Sequence, residues 1–363
     1  MHREELTLQN ETKAVKELSA IKKFSAIKPK AVRFSQESLV RISAAPEEQF
    51  PLVWEPVAED LNPPNWARNN REWLEEKLAK HGALLLRGFD VDSASQFAEF
   101  VRAISDELIE YGERSSPRTS IGNGVYSSTD HPPDQPIVLH NEQSYTLNWP
   151  MKICFYCVQA ASQHGNTPIA DSRKILKRLS PHIVERFVEK KVMYVRNYGD
   201  GLGLPWQEVF QTERREEVET YCRQASIEFE WKENGNLRTF QIRPAVRVHP
   251  KTKEAVWFNH ALFFNIFSLE ASARESLLAV VDAADVPFNT FYGDGSPIEL
   301  PVLDQIREAY RQEQVSLPWR ERDMLILDNM LVAHGREPFT GPRKIAVAMA
   351  DPFVNCQDGV SNE

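Results

Sequence analysis

The sequence predicts a mixed α and β fold: a double-stranded β-helix (jelly-roll) core with surrounding helices and a helical insertion. Two observations carry this. Two helical segments around one apolar strand are followed by many short strands, most of them joined by Gly-, Ser-, Thr- and Pro-rich connections. The regular strand–helix alternation of a doubly wound parallel sheet is missing. With 363 residues, 42% hydrophobic and 26% charged, the chain has the material for one large core.

Residues 1–48 read as a basic N-terminal extension and residues 49–363 as the folded domain. From Lys13 to Arg33 seven cations stand against one acid, Glu17, and the apolar residues are scattered. That pattern suits a solvated, partly helical extension or a docking arm for an acidic partner. Compact structure is expected from about Phe50. Asn69 and Asn70 are candidate caps for a helix carrying Trp73, Leu74 and Leu78, which should stop before Gly82. Residues 83–89 read as a buried strand. Asp92 or Ser93 caps a second helix, with Phe97, Phe100, Val101 and Ile104 on one face. From Ser115 to Pro150 the chain is irregular over a length that usually signals function. Strands follow at Lys152–Ala160, Arg238–Val248, Met324–Leu327 and Lys344–Ala350. Helices are expected around Ile175–Lys190 and Arg214–Gln224, and Tyr292–Ser296 reads as a turn.

The net charge of −9 argues against a nucleic-acid binder. No apolar run reaches membrane-spanning length and no signal peptide is visible, so a cytoplasmic setting is the default. Four cysteines form neither a disulfide framework nor a zinc ribbon. On a strand, Cys154 and Cys157 would point to opposite faces as packed thiols.

Among nine histidines, His140 stands out because it opens His140-Asn141-Glu142. Residues i and i+2 of an extended chain face the same way, so one imidazole and one carboxylate can meet a single cation. A second histidine completes the set that suits non-heme Fe(II) and leaves positions open for substrate and dioxygen. His334 is the strongest candidate, since it follows one apolar strand and precedes the cations Arg343 and Lys344 that an acidic co-substrate would need. Alone, the H-x-E triplet is a weak signal.

The motifs together are specific. GALLLRGF (82–89), SPRTSIGNGVYSSTDHPPDQPIVLHNEQSYTLNWP (116–150), GNTPIADSR (165–173), WFNHALFFN (257–265) and LILDNMLVAHGREPFTGPRKIAVAMADP (325–352) resemble the TauD/TfdA family of 2-oxoglutarate dioxygenases, most closely its SyrP-like branch. The resemblance runs from Gly82 to Pro352. It implies Fe(II) held by His140, Glu142 and His334, with 2-oxoglutarate as co-substrate and dioxygen as oxidant. It implies that Thr167 contacts 2-oxoglutarate and that a cation beyond the distal histidine pairs with its far carboxylate. Arg343 offers a planar fork for that pair, while Lys344 takes the inward position if Ile345 keeps the family's alignment. Two departures stand out: His164 replaces the first glycine of the Thr167 turn, and Arg322-Asp323 replaces Gly-Asp.

With Glu142 present, the family chemistry is hydroxylation of an unactivated C–H bond; halogenating relatives lack this carboxylate. Desaturation or ring closure shares the same mechanism. Arg118, Tyr126, Gln143, Tyr145 and Asn259 are expected on the substrate side, with Arg118 as a carboxylate anchor. Arg336 braces the site or meets substrate. His260 is expected to be packed rather than a further ligand. The branch implies β-hydroxylation of an amino acid, aspartate-like, free or tethered to an acidic peptidyl carrier protein that the basic arm could steer. An oxygenase of another small acid, a jelly-roll protein using another metal and a non-catalytic relative are the competing readings.

Overall fold

A computed structural model describes residues 39–42, 50–58, 61–109, 119–128, 131–199 and 203–354. The expectations for Arg118 and for the basic arm from Lys13 to Arg33 lie outside these residues. Leu39–Ile42, within the stretch assigned to the extension, are described, and Val40–Ile42 pair with Leu52–Pro56.

The major sheet has eight strands, in the order Val40–Ile42, Leu52–Pro56, Ala83–Leu86, Met324–Asp328, Asn148–Gln159, Lys344–Val354, Val125–Ser127 and Ser120–Gly122. Its pairs are antiparallel except that between Leu52–Pro56 and Ala83–Leu86. A separate three-stranded sheet has Val332–Arg336 between Ile137–His140 and Ile169–Asp171.

The helices read from the sequence form, with physical stops, and Trp206–Phe210, Ala271–Leu278 and Leu300–Glu313 form without having been expected. Arg71–His81 ends at Gly82, whose φ of 77° is the left-handed conformation that glycine adopts freely. Leu74 and Leu78 are buried, and Trp73 stacks on the buried Trp54 with centroids 4.5 Å apart. A preceding short helix, Pro63–Asn69, capped by Asn62, escaped the sequence reading. Ser93 caps Ala94–Ala103 through its hydroxyl, which accepts from Gln96 N. Phe97, Phe100, Val101 and Ile104 are buried there, each large side chain contributing about 1.5–3 kcal/mol. The helical run expected around Ile175–Lys190 is two helices, Ser172–Arg178 and Pro181–Lys190, because Leu179 is extended and Pro181 begins a new first turn.

The insertion also contains a four-stranded antiparallel sheet, in the order Glu228–Trp231, Leu237–Arg243, Val192–Tyr198 and Phe288–Tyr292. One core cluster fills the jelly roll, including Ile153, Phe155, Ile169, Leu325 and Val347. A second, including Tyr145, Phe187, Tyr194, Trp257 and Leu303, joins the metal side to the insertion. Cys154 and Cys157 are buried free thiols. Cys157 lies with Ile153 and Phe155 in the jelly-roll core, whereas Cys154 does not belong to that cluster. No helix among the described residues is long and apolar enough to cross a membrane.

Candidate metal centre and co-substrate site

His140 and His334 are direct partners across two paired strands. Cross-strand partners point to the same face, and the two imidazole centroids are 4.7 Å apart. The pairing shifts register between His334 and Arg336. Gly335 permits this: a Cβ there would stand 2.5 Å from Ile137 O. Glu142 sits just past the end of Ile137–His140, and its Oε2 is 3.9 Å from His334 Nε2. One ligand atom from each of the three residues lies within 4.8 Å of the others, and all three side chains are buried.

The donors fit a metal. His140 Nδ1–H donates to Val138 O at 2.8 Å, which leaves Nε2 as the ligand atom. Phe263 lies flat on the same ring, 4.4 Å between centroids and 7° between planes. Phe155 meets His334 edge-on at 5.2 Å. Two imidazoles and a carboxylate, with no fourth His, Cys, Asp or Glu grouped with them among the described residues, form the donor set that suits non-heme iron.

A residue that sequence reasoning missed holds the carboxylate loop. Asn329 Oδ1 accepts from Glu142 N at 2.8 Å, and its Nδ2 donates to Glu142 O at 2.9 Å and Pro150 O at 2.8 Å. Asn141 Nδ2 donates to Asn329 O at 2.7 Å. Asp328 Oδ1 accepts from Met330 N and Leu331 N, and its Oδ2 faces His249 Nε2 at 3.0 Å. His249 Nδ1 accepts from Thr252 N, so Nε2 carries the proton given to Asp328. An Asp-Asn pair after a strand reads as an ordinary turn in sequence, so only the fold reveals this clamp.

Thr167 lies on the turn before Ile169–Asp171. Its hydroxyl oxygen accepts from Trp319 Nε1 at 3.1 Å and from Arg343 Nη2 at 3.5 Å, which leaves its own proton to donate. Arg343 Nε donates to Gly165 O at 2.7 Å. Burial, helped by the nearby Arg336, pushes the Arg343 guanidinium down to about 10. No carboxylate among the described residues forms an ion pair with it, so an anion bound there would restore its solvation. Lys344 is exposed and pairs with Gln159 in the sheet, and the register shifts just after it. The inward cation is Arg343. Both family departures are absorbed by left-handed backbone: His164 has φ 58° and Arg322 φ 71°, where glycine would sit without strain.

The remaining expected residues divide. Tyr126 lies on the same sheet face as Phe155, in the cross-strand row Leu85, Leu325, Phe155, Val347, Tyr126. Gln143, at φ 54°, turns the chain beside Glu142. Tyr145 is instead fully buried against Tyr194, His260 and Phe264, because that turn drives it into the second core cluster. Asn259 is spent on structure: Nδ2 donates to Ala245 O and Oδ1 accepts from Ala261 N. Arg336 braces residues 131–135 by donating to the carbonyls of His131, Pro132 and Gln135. His260 is packed, with Nδ1 2.6 Å from Ser144 Oγ, and burial beside His140 and Arg196 holds its pKa well below the usual histidine value.

A jelly roll with a two-histidine, one-carboxylate site suits a non-heme metal enzyme. The profile described as "Taurine catabolism dioxygenase TauD, TfdA family" matches residues 48–349. The chain belongs to the TauD/TfdA family and is a 2-oxoglutarate-dependent dioxygenase with iron as its metal cofactor. It is 42% identical to the dapdiamide synthesis protein DdaC of Enterobacter agglomerans over 279 residues, 77% of this chain and 85% of that one. It is 29% identical to a clavaminate synthase-like protein of Arabidopsis thaliana, over 78% of this chain and 85% of the other. Among solved structures, the PvcB protein from Pseudomonas aeruginosa shares the fold at TM-score 0.53 and 18% identity, covering 88% of this chain and 94% of that one.

Proposed function

We propose that the protein hydroxylates the β-carbon of an amino acid, free or tethered to a carrier protein, in natural-product biosynthesis. The observation that carries the metal chemistry is the convergence of His140, Glu142 and His334 on paired strands. The similarity to a dapdiamide synthesis protein supports the natural-product setting. Bound iron and 2-oxoglutarate supply the oxidising power for an unactivated C–H bond.

The chain's own residues bind and orient. His140 and His334 give nitrogen donors, and Glu142 gives the oxygen donor and neutralises charge. Arg343 takes the far carboxylate of 2-oxoglutarate, and the Thr167 hydroxyl donates to the same group. Phe155, Phe263 and Tyr126 wall the reacting space with aromatic surface and exclude water. The basic arm from Lys13 to Arg33 acts as the steering arm for an acidic carrier.

Anaerobic titration of metal-free protein with Fe(II) and then 2-oxoglutarate tests the assignment. A weak visible charge-transfer band is expected in wild type and should be absent from His334→Ala. An iron-loaded wild type without the band would sink the 2-oxoglutarate reading. Succinate release with a panel of amino acids then tests the substrate class.

A further inference from the structure

The segment that follows the helix Leu300–Glu313 crosses the turn that carries Thr167. Val315 and Ile169 exchange both backbone hydrogen bonds, at 2.8 and 2.9 Å. Ser316 Oγ donates to Glu337 Oε1 at 2.6 Å. Further along, Arg87 Nη2 donates to Pro318 O at 3.0 Å and to Asp323 Oδ2 at 2.8 Å. The buried Asp323 carboxylate also accepts from Arg320 N at 2.9 Å. The stretch 315–323 is therefore tied down on both sides of Trp319 without help from the indole N–H. The Trp319 ring packs with Leu317 against the jelly-roll core. Its Nε1 makes one bond, to Thr167 Oγ1 at 3.1 Å.

Burial alone does not force that bond. Trp54, Trp66 and Trp149 are buried, and their Nε1 atoms have no acceptor. Trp319 is only half-buried. An N–H near water gains little by exchanging it for a protein acceptor. The bond matters more to the acceptor.

A threonine hydroxyl has two acceptor positions and one proton. Trp319 fills one acceptor position. Arg343 Nη2 approaches the oxygen at 3.5 Å, the outer limit of a hydrogen bond, while its Nε is spent on Gly165 O. The indole is thus the stronger of the two constraints. With donors on the oxygen, the proton has to point to the remaining side, and none of the described residues accepts it there. Threonine is β-branched and stiff at χ1, so the turn sets the place of the oxygen. What the indole adds is the direction of the O–H bond. A carboxylate, which only accepts, is the complement of such a hydroxyl.

We propose that Trp319 is a positioning residue for the co-substrate: its indole N–H holds the Thr167 hydroxyl so that the proton points at the far carboxylate of 2-oxoglutarate. This deepens the reading of Thr167 and rests on it. The segment 315–323, pinned by Arg87 and Asp323, is the frame that delivers the indole.

The test is equilibrium binding of 2-oxoglutarate to the anaerobic Fe(II)-loaded protein, read by the charge-transfer band, so no amino-acid substrate is needed. Wild type, Trp319→Phe, Thr167→Val and the double variant form a cycle. Trp319→Phe should weaken 2-oxoglutarate binding about tenfold. Thr167→Val should weaken it by at least as much, and both should bind Fe(II) as wild type does. The double variant should bind no more weakly than Thr167→Val, because an indole with no hydroxyl to orient contributes nothing. If Trp319→Phe does not fold, Trp319→Met, flexible and without a donor, takes its place in the cycle. Equal affinity of the Trp319 variant and wild type overturns the proposal. So does an additive loss in the double variant, which would make Trp319 a packing residue acting independently of Thr167. Thr167→Val binding like wild type removes the Thr167 contact and the proposal with it. A wild type that binds iron but shows no band also ends the proposal, and marks the failure of the 2-oxoglutarate reading itself.

Discussion

His140 touches two regions held in different ways. On one side is the metal layer, where paired strands carry both histidines and Asn329, Asn141 and Asp328 tie the loop around Glu142 to the next strand. On the other is the segment that brings Phe263 flat against the ring. It is anchored at Asn265, whose Nδ2 donates to Thr290 Oγ1, and again where Asn197 Nδ2 donates to Val286 O. Between these anchors, the helix Ala271–Leu278 has no buried residue. Ligands must be held to within fractions of an ångström, which hydrogen-bonded strands achieve. The segment after Phe263 carries no such demand, and its low local burial keeps local opening inexpensive.

Breaking the metal layer should have the largest effect. Asn329→Ala removes the two donors and one acceptor that hold Glu142 and Pro150, and strands their buried partners. A loss of about 3–5 kcal/mol is expected in urea denaturation, with Fe(II) affinity reduced about 10–100-fold. If Asn329→Ala is as stable as wild type and binds iron normally, the clamp is incidental and the contrast disappears.

The co-substrate end belongs with the rigid side and gives the next effect. Arg343→Lys keeps the charge but loses the fork and the Gly165 bond, so KM for 2-oxoglutarate should rise about tenfold or more. Lys344→Ala should leave it unchanged, because that side chain is exposed. The reverse pattern would show that the strand start is read wrongly.

How much of this was legible in the sequence depends on whether chemistry or topology decides the residue. The i, i+2 spacing of His140 and Glu142 is a local geometric statement, and Ser93 and Gly82 announce a helix start and a helix stop by their own conformational preferences. Asn329 is not announced. An asparagine after a strand looks like a turn. Its role comes from Glu142, 187 positions away, which only folding brings close. Tyr145 shows the converse: proximity in sequence to Glu142 suggested substrate contact, but one left-handed residue, Gln143, sends it into the core. Arg343 and Lys344 were separable only once the register shift beside Lys344 was known.

The segment after Phe263 supplies the smallest and sharpest test. Leu278 is 42% exposed and Val280 74%. Replacing either with serine should cost less than about 0.5 kcal/mol, since neither leaves a cavity. Leu331→Ala, at a fully buried site in the metal layer, should cost about 2–5 kcal/mol. Hydrogen exchange separates the regions without mutation: amides of 271–281 should exchange through local opening, while those of Val332–Arg336 exchange only with global unfolding. If substrate enters past this segment, substrate added to the anaerobic iron and 2-oxoglutarate complex should slow exchange in 271–281 and leave 332–336 unchanged. Equal protection in both regions before substrate is added would mean that the segment is held as firmly as the metal layer, and that access lies elsewhere.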